Sequence, residues 1–181
     1  MRRELVQWMR KAGCHVIYIG VESGSQRVLN LLKKGIRLEQ VIRAVKWLKE
    51  AGMEITASYV IGTPGETKEE VERTIKFAVK LDTDFAQFTA MTPYPGTEVY
   101  EYAKREGLLL TNDWSKFTTI KPVMRTKELS AEEIEKLVSK AYRKFYLRPK
   151  FLWRQLKKGR LPLIFLVLKN YLSGKKASPS S

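Results

Sequence analysis

Apolar residues return every three or four positions in three stretches, and each stretch leads into a short apolar segment. Leu5, Trp8, Met9 and Ala12 lead through Gly13 into His15–Val21. Val41, Ala44, Val45 and Leu48 lead through Gly52 into Ile55–Ile61. Val71, Ile75, Ala78 and Val79 lead through Leu81–Asp84 into Phe85–Met91. The spacing predicts three helices, each burying one face. Gly13 and Gly52 stand where a helix has to end, because Gly enters the left-handed region without steric cost. The segments that follow lack clean alternation and predict strands over 15–22, 54–61 and 85–92, covered on both faces.

Helix alternating with strand implies parallel pairing through right-handed crossovers. Three strands cannot close a barrel, which usually takes about eight. The predicted fold is therefore α/β: a partial (β/α) barrel fragment of three parallel strand–helix units, followed by a helical basic C-terminal extension. Residues 1–107 hold the three units, with helices on one face of the sheet. Residues 108–128 loosen into a loop or extended connection. Ser130 then caps a helix, with Glu133 as its capping-box partner, and Ile134, Leu137, Val138 and Ala141 form the apolar face of that helix as it runs toward Leu147. It opens a helical basic extension over 129–172, and residues 173–181 have the composition of a disordered tail. The chain starts inside an amphipathic helix with no capping residue ahead of it, so Met1 is expected to lie within a longer parent domain.

Charge changes the picture of the extension. The chain carries +15, yet all 19 acidic residues lie at or before Glu135, against 21 of the 34 bases. From Lys136 onward there are 13 Lys and Arg and no acid. Phe145, Tyr146, Phe151, Trp153, Phe165 and Tyr171 are interleaved with those bases, and residues 161–168 are apolar throughout. Three readings stand: packing against a parent domain, an amphipathic segment on an anionic membrane surface, or nucleic-acid contact. The last has no nucleic-acid fold motif behind it. The apolar run is far short of the roughly 20 residues that span a bilayer, and no signal peptide follows Arg2 and Arg3. With a single cysteine no intrachain disulfide forms. The expected location is the cytoplasm, with peripheral membrane contact through the basic segment left open.

One Cys and one His also exclude a metal centre or a nucleophile–base pair built by this chain alone. Cys14 and His15 fall at a helix-to-strand junction and are read as structural. In parallel α/β domains ligands gather at the carboxyl ends of the strands. Those ends are Gly20–Ser25, Ile61–Thr67 and Thr92–Thr97, all rich in Gly, Pro, Ser and Thr. Turn chemistry accounts for each alone; three in register on one rim predict a ligand site. Tyr94, between two prolines, either lines a substrate pocket or packs on its own loop.

Four motifs in order, Gly20-Val21-Glu22-Ser23-Gly24-Ser25, Leu31-Leu32-Lys33-Lys34-Gly35, Val60-Ile61-Gly62-Thr63-Pro64-Gly65-Glu66-Thr67 and Pro93-Tyr94-Pro95-Gly96-Thr97, resemble the second half of the radical S-adenosylmethionine (SAM) core. The branch it resembles is often fused to a cobalamin-binding domain. The resemblance covers residues 1–107 and implies that the three strands are the last three of a six-unit partial barrel. It implies SAM as cofactor, with Glu22 accepting from both ribose hydroxyls and Lys34 pairing with the SAM carboxylate. It sets Ser58 at a ribose-contacting position where some relatives carry an acid. Val60 and Ile61 would flank the adenine, and the Thr92–Pro93 backbone would read its edge. The family's Cys-x-x-x-Cys-x-x-Cys loop, which holds a [4Fe–4S] cluster, does not occur here, nor do the acidic motif for the SAM amino group or a cobalamin domain. The resemblance therefore implies a truncated or separately encoded C-terminal half, inactive alone, whose cluster comes from a missing half or a partner polypeptide. The parent chemistry would be radical, through a 5′-deoxyadenosyl radical or by methyl transfer with cobalamin. The alternative is a non-catalytic binding or scaffold module that docks through its exposed strand and basic tail.

Overall fold

A computed structural model describes residues 1–119 and 121–172. The elements run α1 (Arg3–Lys11), β1 (Val16–Glu22), α2 (Gln26–Leu31), α3 (Leu38–Glu50), β2 (Glu54–Ile61), α4 (Lys68–Leu81), β3 (Phe85–Ala90), α5 (Glu98–Arg105), α6 (Ala131–Tyr146), α7 (Pro149–Lys157) and α8 (Leu161–Leu172). The strands form one parallel sheet in the order β1-β2-β3. The tail over 173–181 lies outside the described residues.

The helix periods translate into burial as expected. Val41, Val45 and Leu48 of α3, Val71, Ile75 and Ala78 of α4, and Ile134, Leu137, Val138 and Ala141 of α6 enter one core against the sheet. Gly13 and Gly52 adopt φ +90 and +68 just past α1 and α3. Ser130 and Glu133 form the expected capping box of α6, Ser130 N–H donating to Glu133 and Glu133 N–H to Ser130 Oγ. The connection over 108–128 contains a short 3-10 turn at Trp114–Lys116 and an isolated antiparallel bridge between Leu109 and Met124.

Three features differ from the sequence reading. The strands are covered on one face only: in β2, Ile55, Ala57, Tyr59 and Ile61 are buried while Glu54, Thr56, Ser58 and Val60 are half-buried on the other face. Third-strand pairing stops at Ala90 instead of 92, after which Met91 N–H donates to Ile61 O. In α1 it is Val6 that is buried, whereas Leu5 and Trp8 stay exposed. That helix packs on α3 at the flank of the sheet, so less than its whole apolar face finds cover.

The two sheet edges are unlike each other. On the outer edge of β3, the N–H groups of Ala86, Phe88 and Ala90 donate to Tyr146 Oη (3.1 Å), Tyr142 Oη (3.2 Å) and Thr119 O (3.1 Å). Tyr146 Oη also donates to Ala86 O at 2.7 Å. Side chains of α6 thus stand where a further strand would pair, satisfying backbone groups that would be costly to bury alone. The β1 edge has no paired strand among the described residues, and Val16 and Tyr18 are exposed along it.

The extension docks onto the amino-terminal rim of this same sheet. Asp82, left-handed at φ 51 and ending α4, is met by Arg148 (2.9 Å), Lys150 (2.8 Å) and Arg154 (3.0 Å). Lys158 reaches Asp84 and Glu54, and Arg160 reaches Glu54. Arg148, Lys150, Arg154, Lys158 and Arg160 of the extension are therefore paired with three acids of the strand–helix units at this rim, contacts which the packing reading had assigned to an absent domain. Phe145 and Phe151 are fully buried beneath them.

Candidate functional site

The site grows from an irregularity at the carboxyl end of β1. Gly20 pairs with Ser58, but the next partner of Tyr59 is Glu22, so one residue is looped out as a bulge. Glu22 takes the left-handed region at φ 66, which costs a residue with a Cβ on the order of 1–2 kcal/mol. Strain of this kind tends to collect at functional positions. The turn brings the Glu22 carboxylate back over Gly20, onto the open face of the sheet. A Cβ added at Gly20 would overlap Glu22 Oε1 and stand 3.0 Å from Lys34 Nζ. Gly is the residue that leaves this room.

Lys34 arrives from α2. The helix ends at Leu31 with Leu32 as its C-cap, Lys33 turns left-handed at φ 52, and Lys34 N–H bonds back to Leu29 O at 3.1 Å. That turn aims the Lys34 ammonium at Glu22 Oε1, 2.8 Å away. The two residues predicted to hold opposite ends of SAM thus meet each other. Both keep capacity for a ligand, because an ammonium has three donors and a carboxylate has several acceptor positions.

The neighbouring strands complete a row. Ser58 is level with Gly20 on one side and with Gln87 on the other, and Val60 is level with Thr89. Ser58, Val60 and Gln87 lie on the same open face, and Tyr18 Oη donates to Gln87 Oε1 (2.6 Å) across it. Ile61 does not join them. Consecutive strand residues point to opposite faces, and Ile61 is fully buried in the helix-covered core, so its side chain cannot flank an adenine alongside Val60. Thr92 Oγ1 donates to Ala90 O (3.3 Å) and Thr118 O (3.2 Å), and Pro93 is buried. Tyr94 is half exposed, with its hydroxyl bonded to Phe117 O at 3.3 Å.

Interactions that the motifs did not announce lock the three rim loops together. Gly24 lies so close to α4 that a Cβ there would meet Thr74 Cα at 2.8 Å. Gly24 N–H donates to Thr74 Oγ1 (2.9 Å), and Ser25 Oγ donates to Glu70 (2.8 Å). Arg27 pairs with the same Glu70 and also donates to Gly65 O at 2.6 Å, joining the first loop to the second. The Arg27 guanidinium holds the Glu70 carboxyl well below the usual carboxylate range. Lys33 reaches Glu98 (2.6 Å) beside the third loop.

The second loop hides a carboxyl group. Glu66 is fully buried, and its Oε2 accepts from Gly62 N–H (2.8 Å) and Thr63 N–H (3.2 Å). Its Oε1 has no partner among the described residues. Burial pushes the carboxyl up to about 7 against the pull of those two N–H donors. The sequence signal was an acid four residues beyond a turn glycine, in a loop whose own N–H groups need acceptors.

A [4Fe–4S] cluster does not fit this chain by itself. Cys14 is the one cysteine, its Sγ faces Val16 O at 3.4 Å, and it precedes β1 whereas Glu22 ends it. At about 3.3 Å per strand residue the two are separated by roughly 25 Å. His15 is exposed beside Arg10 at the same far rim. For SAM the residues do fit: a charged pair, a half-buried Ser and an apolar Val share one open face at the ligand-binding end of a parallel sheet.

Such a sheet, with helices on one face and loops gathered at its carboxyl rim, has the architecture of part of a (β/α) barrel. Residues 1–78 match the model described as the Radical SAM superfamily. An uncharacterized methyltransferase of Pyrococcus horikoshii is 54% identical over 148 residues, covering 82% of this chain and 32% of that protein. The anaerobic magnesium-protoporphyrin IX monomethyl ester cyclase of Cereibacter sphaeroides is 30% identical over 146 residues, covering 81% of this chain and 24% of that protein. The chain thus spans a quarter to a third of the length of these relatives. Among solved structures, coproporphyrinogen III oxidase (HemN) from Escherichia coli, a radical SAM enzyme, superposes with a TM-score of 0.59 at 15% identity, over 81% of this chain and 30% of that one. The radical SAM methyltransferase TsrM from Kitasatospora setae, solved with cobalamin and a [4Fe–4S] cluster bound, gives 0.54 at 22% identity, over 80% and 28%. No helix among the described residues is long and apolar enough to cross a membrane.

Proposed function

We propose that residues 1–107 supply the ribose and adenine side of a SAM site in a radical SAM methyltransferase, as the C-terminal half of its core. The observation that carries this reading is the Glu22–Lys34 pair folded over Gly20 at the carboxyl end of β1. Glu22 accepts hydrogen bonds from the ribose hydroxyls, while Lys34 turns a free N–H toward the SAM carboxylate. Ser58 offers its hydroxyl to the ribose from the next strand, Val60 gives the adenine an apolar wall, and the Thr92–Pro93 backbone lies at the adenine edge. A reduced [4Fe–4S] cluster, when bound, supplies the electron for cleaving SAM. Its cysteines come from polypeptide other than the residues present here. Methyl transfer is favoured over other radical outcomes because the P. horikoshii relative is named a methyltransferase, and cobalamin would then belong to the complete assembly.

The β1 edge is where that other polypeptide joins. Val16 and Tyr18 are exposed along an edge without a paired strand among the described residues, and Leu5 and Trp8 of α1 are exposed as well. An open edge of this kind recruits a further strand.

Anaerobic reconstitution with iron and sulfide tests the proposal. The chain alone should take up no cluster and form no 5′-deoxyadenosine from SAM. With a polypeptide carrying the Cys-x-x-x-Cys-x-x-Cys loop, turnover should appear, and Glu22→Ala should weaken SAM binding in that assembly about tenfold, the worth of a charged hydrogen bond. Deoxyadenosine produced by the purified chain alone would overturn the division of labour. Unchanged SAM affinity in the Glu22→Ala assembly would overturn the site.

A further inference from the structure

Where the extension docks on the amino-terminal rim it leaves an open cavity of about 750 Å³, beside His15 and Val16 at the start of β1. Glu22 and its partner Lys34 stand at the other end of that strand. Lys49, Lys150, Arg154, Lys158 and Arg160 line the cavity with Glu54, Asp82 and Asp84, five bases against three acids. Each acid is already met: Asp82 by Lys150 and Arg154, Asp84 by Lys158, and Glu54 by Lys158 and Arg160. No group of His, Cys, Asp and Glu among the described residues is arranged to hold a metal ion. The bases keep more capacity than the acids, since an ammonium has three donors and a guanidinium five. Lys150 meets Asp82 (2.8 Å) with its side chain 76% exposed. Lys49 donates to Leu81 O (2.8 Å), and Arg160 meets Glu54 through Nη2 (2.7 Å). Burial holds the Lys49 ammonium below the usual lysine range; Asp82 opposes this, and Arg154 and Lys150 lower it further.

We propose that this cavity is a binding site for a diphosphate group, carried by a nucleotide or another phosphorylated small molecule. The excess of two positive charges on its walls calls for an anion, and the walls are too polar for an apolar ligand. Ammonium and guanidinium groups are the side chains suited to phosphate oxygens, the first as point charges and the second as a planar fork. The volume lies within the range of small-ligand sites, roughly 300–1,000 Å³, and is more than one phosphate needs. The spare donors come from three parts of the chain: Lys49 on α3, Lys150 on α7, and Arg160 between α7 and α8. A diphosphate concentrates several charges at one point among them. The carboxylates of an acidic polypeptide carry one charge each and are spread along a backbone. Because the donors belong to the strand–helix units and to the extension alike, the ligand fastens one to the other and stabilises the docked form.

Calorimetric titration of the full chain with pyrophosphate tests this. Pyrophosphate should bind at one site, about tenfold tighter than inorganic phosphate, and ADP should bind at least as tightly as pyrophosphate. Lys150→Gln and Arg160→Gln should each weaken pyrophosphate about tenfold, as loss of one charged hydrogen bond predicts. Each variant leaves the acid in question with another base, Arg154 on Asp82 and Lys158 on Glu54, and far-UV circular dichroism should confirm unaltered folding. Lys157, on the same helix as Lys150, stands over the Trp153 ring and is not among the residues lining the cavity, so Lys157→Gln should leave the affinity unchanged. Failure of the unsubstituted chain to bind pyrophosphate would overturn the proposal. So would an equal loss in Lys157→Gln, which would assign the binding to the net charge of the chain. Polyglutamate bound more tightly than ADP, and weakened by Lys150→Gln, would reassign the cavity to an acidic polypeptide. Binding seen only with vesicles containing phosphatidic acid would reassign it to a lipid headgroup.

Discussion

Glu66 gives the protein a pH dependence opposite to that of an ordinary paired carboxylate. Its carboxyl is buried without a cation beside it, so the native state prefers the protonated form, and the group stands at about 7 in place of 4.5. Between those values the folded chain holds a proton that the unfolded chain has released. Stability is therefore fully present below about pH 4.5, falls as pH rises to about 7, and levels off above that. At 1.36 kcal/mol for each tenfold change in proton activity, the fall amounts to roughly 3 kcal/mol. Glu70 has the opposite sign, since Arg27 favours its charged form, but its contribution is lost only below the usual carboxylate range, outside this window. Glu66→Gln keeps an acceptor for the N–H groups of Gly62 and Thr63 and removes the titration. Urea unfolding across pH 5 to 8, read by tryptophan fluorescence, should show the declining midpoint in the natural chain and a flatter profile in the variant. The variant should be the more stable of the two at the alkaline end. A natural chain that gains stability between about pH 5 and 7, or a Glu66→Gln variant with the same decline, would refute the assignment.

Gly20→Ala should drive the Glu22 carboxylate and the Lys34 ammonium apart and reduce SAM affinity in the assembled enzyme about tenfold or more by calorimetry, while changing the melting temperature little. Tyr146→Phe removes the hydroxyl that both accepts from Ala86 N–H and donates to Ala86 O; unpairing two groups at the β3 edge should cost about 2 kcal/mol in urea unfolding. Asp82→Asn retains a residue suited to the left-handed turn but leaves the largely buried Arg148 without its counter-ion. It should cost about 3 kcal/mol and detach α7, seen as faster proteolysis after Arg154.

Much of the architecture was legible because its determinants are local. The three helices follow from apolar residues every third or fourth position, the stops from glycines with positive φ, and the start of α6 from Ser130 and Glu133, which satisfy each other within one turn. The parallel order of the strands follows from the helices between them, and the carboxyl rim then collects Glu22, Lys34, Ser58 and Val60 by topology alone. The alternation of β2 was also present in its sequence, since Thr56 and Ser58 are polar and fall on Val60's face. Ile61 could have been excluded from the site on that ground.

Folding in three dimensions decided what depends on residues far apart in the chain. That Glu22 turns back onto Lys34 required a bulge at Gly20, a left-handed Glu22 and a second left-handed turn at Lys33, none of which has a propensity signal. Glu66 became titratable near neutrality only because the fold buries it, in a loop whose Gly62 lies against Ile134 of α6. Asp82 and Arg154 lie 72 residues apart. Each is an ordinary surface charge until α7 folds back across the rim, so a count of bases could not single out those that anchor the extension. Periodicity and caps are written into the chain because they concern neighbours in one helix or strand. Burial, ionic partners and perturbed acidity belong to the packing, because they depend on which surfaces the whole fold brings together.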